Sequence, residues 1–99
     1  MEEILQKLVD HGIQLLPAAE LTTHFVFERD GFIALVERRN NGFGNAGAPG
    51  LLCPQGMAQL IWRQEQAFFV TKGFERKASQ EEVEKLRSFD QDLKKSLSK

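Results

Sequence analysis

The chain has 99 residues, 41% hydrophobic and 27% charged, with a net charge of −1. That length suits one domain, residues 1–99, with a modest core. The near-neutral balance and a pI near 6.1 argue against a polyanion binder, whose domains are strongly basic, so nucleic acid is an unlikely partner.

The opening MEEILQK is acidic where a signal peptide is basic, and no run approaches the ~18 apolar residues of a membrane span. Cys53 is the one cysteine. The expectation is a cytoplasmic protein, away from membranes, in a reducing compartment. Eight Phe without any Tyr point to dry packing, because Phe has no polar end to satisfy.

In chain order, residues 2–11 read as a short helix. Ile4, Leu5, Leu8 and Val9 fall on one face at helical spacing, and Glu2 and Glu3 suit the positive end of the dipole. Gly12 fits the left-handed position after the helix, which lets Ile13 fold back onto Leu8. His11 lies at the negative end. Pro17 disfavours the α region at Leu16, so 13–16 should be extended, and 17–21 is a connector.

Residues 22–39, TTHFVFERDGFIALVERR, carry the strongest pattern: two β-rich runs joined by Asp30-Gly31, a hairpin signal. Two-residue turn geometry places Arg29 opposite Phe32, Phe27 opposite Ala34, Phe25 opposite Val36 and His24 opposite Glu37. Phe25, Phe27, Phe32, Ala34 and Val36 then share one face. Val26, Ile33 and Leu35 share the other, rimmed by His24, Glu28 and Glu37.

Residues 40–50, NNGFGNAGAPG, hold four Gly, three Asn and one Pro. That composition predicts a flexible loop rather than a regular element. After a short extended piece at 51–53 and a stop at Pro54-Gln55-Gly56, MAQLIWR and AFFVTK read as a second hairpin. Its link, Gln64-Glu65-Gln66, lacks Gly, which leaves the register open by one residue. Gly73 marks the end of the second hairpin. Ser79 with Glu82 spells a capping box that opens a last helix. Val83, Leu86, Phe89, Leu93 and Leu97 form its apolar stripe, with a frayed tail at about 96–99.

The expected fold is α+β: a four-stranded antiparallel sheet of two β-hairpins flanked by N- and C-terminal helices, in the order α-β-β-β-β-α. Two short helices cover one face of such a sheet. The uncovered face, with Val26, Ile33 and Leu35 beside His24 and Glu37, is then an association surface, and its expected occupant is a second copy in a homodimer.

No motif carries chemistry with any specificity. Gly42, Gly44 and Gly47 spell G-x-G-x-x-G, but Pro49-Gly50 follows where a phosphate-binding loop needs a helix. His24 beside Glu37 has an acid–base composition, yet nothing near it supplies a nucleophile; a polar cross-strand pair explains it. Cys53 reads as a small buried hydrophobe. Two His and one Cys have no metal-ligand spacing, so neither metal nor cofactor is expected. Arg38 and Arg39 with Phe43, Trp62 and Arg63 are a thin basic-aromatic set, diluted by Glu28, Glu37 and Glu65.

The leading function is therefore a non-enzymatic binding module that self-associates through its sheet. The alternative is a protein binding a small phosphate- or nucleotide-like ligand, or an enzyme, built on the 40–50 loop. Arg38, Asn41, Gly42, Phe43, Gly44, Asn45 and Trp62 would then contact the ligand.

Overall fold

The computed structural model describes residues 2–17, 20–40 and 42–98. In order, the elements are α1 (Glu2–Asp10), β1 (Gln14–Leu16), β2 (His24–Arg29), β3 (Phe32–Arg39), β4 (Gly42–Ala46), β5 (Gly50–Cys53), β6 (Gly56–Arg63), β7 (Gln66–Thr71), β8 (Phe74–Lys77) and α2 (Gln80–Leu97). The strands form one curled antiparallel sheet, a half-barrel, in the order β1-β2-β3-β5-β6-β7-β8, with β4 also on β3. The sheet thus has eight strands where the sequence pattern predicts four. The expectation of helices at both ends holds.

Local rules explain the parts that match. Gly12 has φ +71°. The Gly12 N–H donates to the Val9 carbonyl and the Ile13 N–H to the Leu8 carbonyl, both at 2.9 Å. These are the two bonds of a Schellman motif, and Ile13 and Leu8 bury together as it requires. At the first hairpin, Asp30 and Gly31 have φ of 57° and 88°, and all four expected pairs are present. The turn is clamped by Glu28, whose Oε2 accepts from the Gly31 N–H at 2.9 Å.

The second hairpin closes on a two-residue turn, with Arg63 paired to Gln66. Gln64 takes the left-handed conformation, φ 58°, that a glycine would otherwise supply. This register sends Ala67 and Phe69 inward, both buried, and Phe68 and Val70 outward.

Two segments depart from expectation. Residues 42–46 are a strand, with Arg39 opposite Gly42 and Arg38 opposite Phe43, across a bulge between Val36 and Arg38. Gly50–Cys53 then pairs with both β3 and β6. Residues 42–46 and Gly50 are therefore strand rather than loop. Second, Gly73 (φ 76°) is a turn and not an end: Phe74–Lys77 folds back on β7 as an edge strand.

Both helices pack on the inner side of the curl. Phe27, Phe32, Phe69 and Phe89 form one cluster with Leu8, Val83, Leu86 and Leu93. α2 runs further than the expected frayed tail, and Ser96 is buried. The helix also begins as expected: the Ser79 Oγ accepts from the Glu82 N–H at 3.1 Å and the Glu82 Oε1 from the Ser79 N–H at 3.0 Å.

Glu82 has a second role, because its carboxylate takes a two-pronged bond from Arg76 at 2.6 and 3.1 Å. The Arg76 bond, then the bonds at Ser79, hold the Glu82 carboxyl down to about 2 from its ordinary 4.5, against a desolvation effect that raises it. A depressed folded-state pKa stabilises above the unfolded value and loses that stability as pH falls through the folded one. We expect Glu82→Gln to cost about 1–2 kcal/mol near neutral pH, allowing for partial solvent screening. Melts of both proteins should converge as pH drops from 4.5 toward 2; a constant gap would exclude the ion pair as the cause.

Candidate functional site

The residues expected to form a ligand loop are placed by the β3–β4 ladder. Phe43 turns inward. Its ring lies 5.0 Å from Phe25 and 5.7 Å from Phe27, edge-on to both, so it anchors β4 on the core and is not an exposed contact. Arg38 lies over the Phe25 ring at 4.1 Å, a cation–π contact on the same aromatic group. Asn41 lies outside the described residues.

Gly44 is needed for close approach. A Cβ there would fall 2.8 Å from the Glu37 side chain, with Arg39 closer still. Gly44 thus serves the β3–β4 ladder, whereas Gly47 lies beyond β4 with only the Leu35 carbonyl oxygen nearby, at 3.6 Å from a Cβ position, and no helix follows to receive a phosphate. Trp62 is not among these residues. It sits near the end of β6, more than half exposed, beside the start of α2.

His24 and Glu37 are cross-strand neighbours as expected, but they do not form an acid–base pair. Glu37 Oε1 accepts from Arg39 at 2.8 Å and from the Asn45 N–H at 2.9 Å. Arg39 foremost, then the Asn45 N–H, holds the Glu37 carboxyl below its ordinary range. His24 Nδ1 is 2.8 Å from the Thr23 hydroxyl. A carboxylate made less basic and already occupied is a poor general base. Asn45 thus contributes its backbone to a bulge. Cys53 is half-buried against the core. Among the described residues no group of three or more His, Cys, Asp or Glu is placed to hold a metal.

The outer face of the sheet carries Val26 and Leu35, half-buried, and Ile33, which is 6% exposed although outside the main core cluster. Leu52, Ile61, Phe68 and Val70 extend the row across β5, β6 and β7. Part of it is screened: Arg63 lies over Phe68 at 5.1 Å and pairs with Glu75 at 3.0 Å.

Sequence reasoning misses the more exposed apolar surface, which is elsewhere. Leu5, Val9 and Leu15 are 39%, 66% and 50% exposed. They flank an open groove of about 690 Å³ floored by Leu8, Ile13 and Phe27. The helix stripe of Ile4, Leu5, Leu8 and Val9 spans too wide an arc for one contact, so the core takes Leu8 and part of Ile4. Helical spacing identifies such a stripe but not which half is covered.

A second groove, about 570 Å³, lies between Trp62 and α2, with Ala67, Ala78 and Val83 at its base and Lys77, Glu84 and Arg87 around it. The helix N-terminus beside it is not free for an anion, because Glu82 already caps it.

No helix among the described residues is long and apolar enough to cross a membrane. No protein-family model matches the chain, no curated protein is similar to it, and no solved structure resembles it at a significant level.

Proposed function

We propose that this chain is a non-enzymatic binding module that self-associates through its sheet, in the cytoplasm. One observation carries the reading. The accessible surface is 6621 Å², against about 5,700 Å² from the size scaling of monomers at this mass. The chain thus exposes about 900 Å² more than a compact monomer of its mass. The excess accompanies an open, elongated form of 41 × 27 × 18 Å, whose sheet leaves apolar side chains directed outward. A half-buried free thiol at Cys53 suits a reducing compartment.

The test is sedimentation velocity across a dilution series. A homodimer whose fraction rises with concentration is expected; a monomer at the highest attainable concentration would defeat the proposal. The groove beside Trp62 favours a second reading, a small-ligand protein. A thermal-shift screen of nucleotides and metabolites should then raise the melting temperature in the native chain and not in Trp62→Ala.

A further inference from the structure

We infer that the groove between Trp62 and α2 binds a neutral oligosaccharide, with one sugar ring stacked on the Trp62 indole. The inference rests on the small-ligand reading given above and names the ligand class.

The place of Trp62 in its strand argues first. Ala58, Leu60 and Trp62 alternate onto one face of β6, and Leu60 and Trp62 sit opposite Phe69 and Ala67. The core lies inside the curl, so this row is on the concave side of the sheet, and the Val26–Leu35 face is convex. Burial runs out along the row. Ala58 is fully buried, Leu60 is half-buried against the core, and Trp62 is 56% exposed. The row thus ends on an inward-facing indole that the rest of the chain leaves mostly uncovered. The mouth of a curled sheet is a common seat for a small ligand, and about 570 Å³ lies within the usual range of such clefts.

The polar rim selects the ligand. Lys77 and Arg87 bring two positive charges, Glu65 and Glu84 two negative ones, so the rim is formally neutral. None of the four takes part in the ion pairs of the described residues. Gln66 is held in place: its Nε2 donates to the Ala67 carbonyl at 2.9 Å and to the Ala78 carbonyl at 3.2 Å. With both N–H groups committed, its Oε1 is left as the acceptor.

A phosphate or carboxylate gains no net attraction from such a rim, and it would meet Glu81 and Glu82 in the adjacent first turn of α2. A cation meets Lys77 and Arg87 in the same way. A sugar ring satisfies both parts of the groove. Its electron-poor C–H bonds lie against the negative face of the indole. Its hydroxyls each donate and accept, so they suit carboxylate, amide, ammonium and guanidinium groups at once. One aromatic wall in an open groove gives modest affinity, with a Kd of roughly 1 mM.

The chain has one Trp and no Tyr, so its tryptophan emission reports this groove alone. The full chain is titrated with maltotriose, cellotriose, chitotriose and mannotriose up to about 20 mM, well above a millimolar Kd, and with adenosine and AMP by calorimetry. At least one trisaccharide should shift the emission to the blue and slow acrylamide quenching, and adenosine and AMP should give no heat of binding. Calorimetry of the responding sugar should show binding weaker by about tenfold in Trp62→Ala and by about threefold in each of Glu84→Gln and Arg87→Gln. The last two alter exposed side chains, and they keep the test open if Trp62→Ala does not fold by circular dichroism. Silence toward every trisaccharide overturns the saccharide assignment, as do equal responses to sugars and adenosine or undiminished binding in the variants. A compound that raises the melting temperature through Trp62 in the screen above would then keep the small-ligand reading, and a screen without such a compound would remove both.

Discussion

Arg29→Ala should lower the melting temperature by roughly 10–25 °C, since it removes about 2–4 kcal/mol and each kcal/mol is worth about 4–8 °C in a domain of this size. Arg29 ends β2 and faces inward. Its Nη1 donates to the His11 carbonyl at 2.9 Å and to Asp92 Oδ2 at 2.8 Å, and its Nη2 reaches the Ser88 Oγ at 3.3 Å. The guanidinium also lies 5.6 Å from the centre of the Phe89 ring. One side chain, 16% exposed, thus ties the end of α1, the first hairpin and α2 together.

Charge-assisted bonds at low exposure are worth more than surface pairs, and deleting one partner leaves the other's desolvation cost uncompensated. Arg29→Lys should recover only part of the loss, because an ammonium group cannot reproduce the planar fork. Chemical denaturation measures both variants. A loss below about 1 kcal/mol in Arg29→Ala would mean that solvent screens the network as it does exposed pairs.

Gly50→Ala should cost about 3 kcal/mol through overpacking. Gly50 is buried in β5 between β3 and β6. An added Cβ would collide with the Ala58 carbonyl oxygen and sit 2.7 Å from the Met57 side chain. Met57 can swing aside, but the Ala58 carbonyl belongs to the neighbouring strand and cannot move without loosening the ladder. Gly31→Ala is a useful contrast: nothing lies within 4 Å of its Cβ position, so its cost comes only from φ +88°. Equal stability of Gly50→Ala and the native chain would show that β5 and β6 separate at little cost.

Gly50 also shows where sequence reading stops. In NNGFGNAGAPG every glycine resembles loop punctuation, but two of them are required by residues that other strands supply. Gly44 is required by Glu37 and Arg39 across the ladder, and Gly50 by Ala58 and Met57. Strand propensity is a weak prior that pairing overrides. Phe43 is the one anchor in this stretch that sequence displays, and its destination depends on Phe25 and Phe27. Residues 42–46 are therefore a strand rather than a loop because β3 offers them a partner. Phe74–Lys77 was hidden likewise: three charged residues give no apolar alternation, and β7 supplies the pairing.

The sequence by itself determined what depends on a few adjacent residues: the Asp30-Gly31 turn and its register, the Gly12 cap with Ile13 returning to Leu8, and the Ser79–Glu82 box that starts α2. Each is set by local dihedral and hydrogen-bond rules, so its neighbours in sequence suffice. Only the tertiary structure decided the number of strands, the curl that makes the Val26–Leu35 face convex, the union of three elements at Arg29, and the half of the α1 stripe left exposed beside β1. These depend on which surfaces meet across long sequence separations, and hydrophobic burial, being non-directional, does not encode that choice in any one segment.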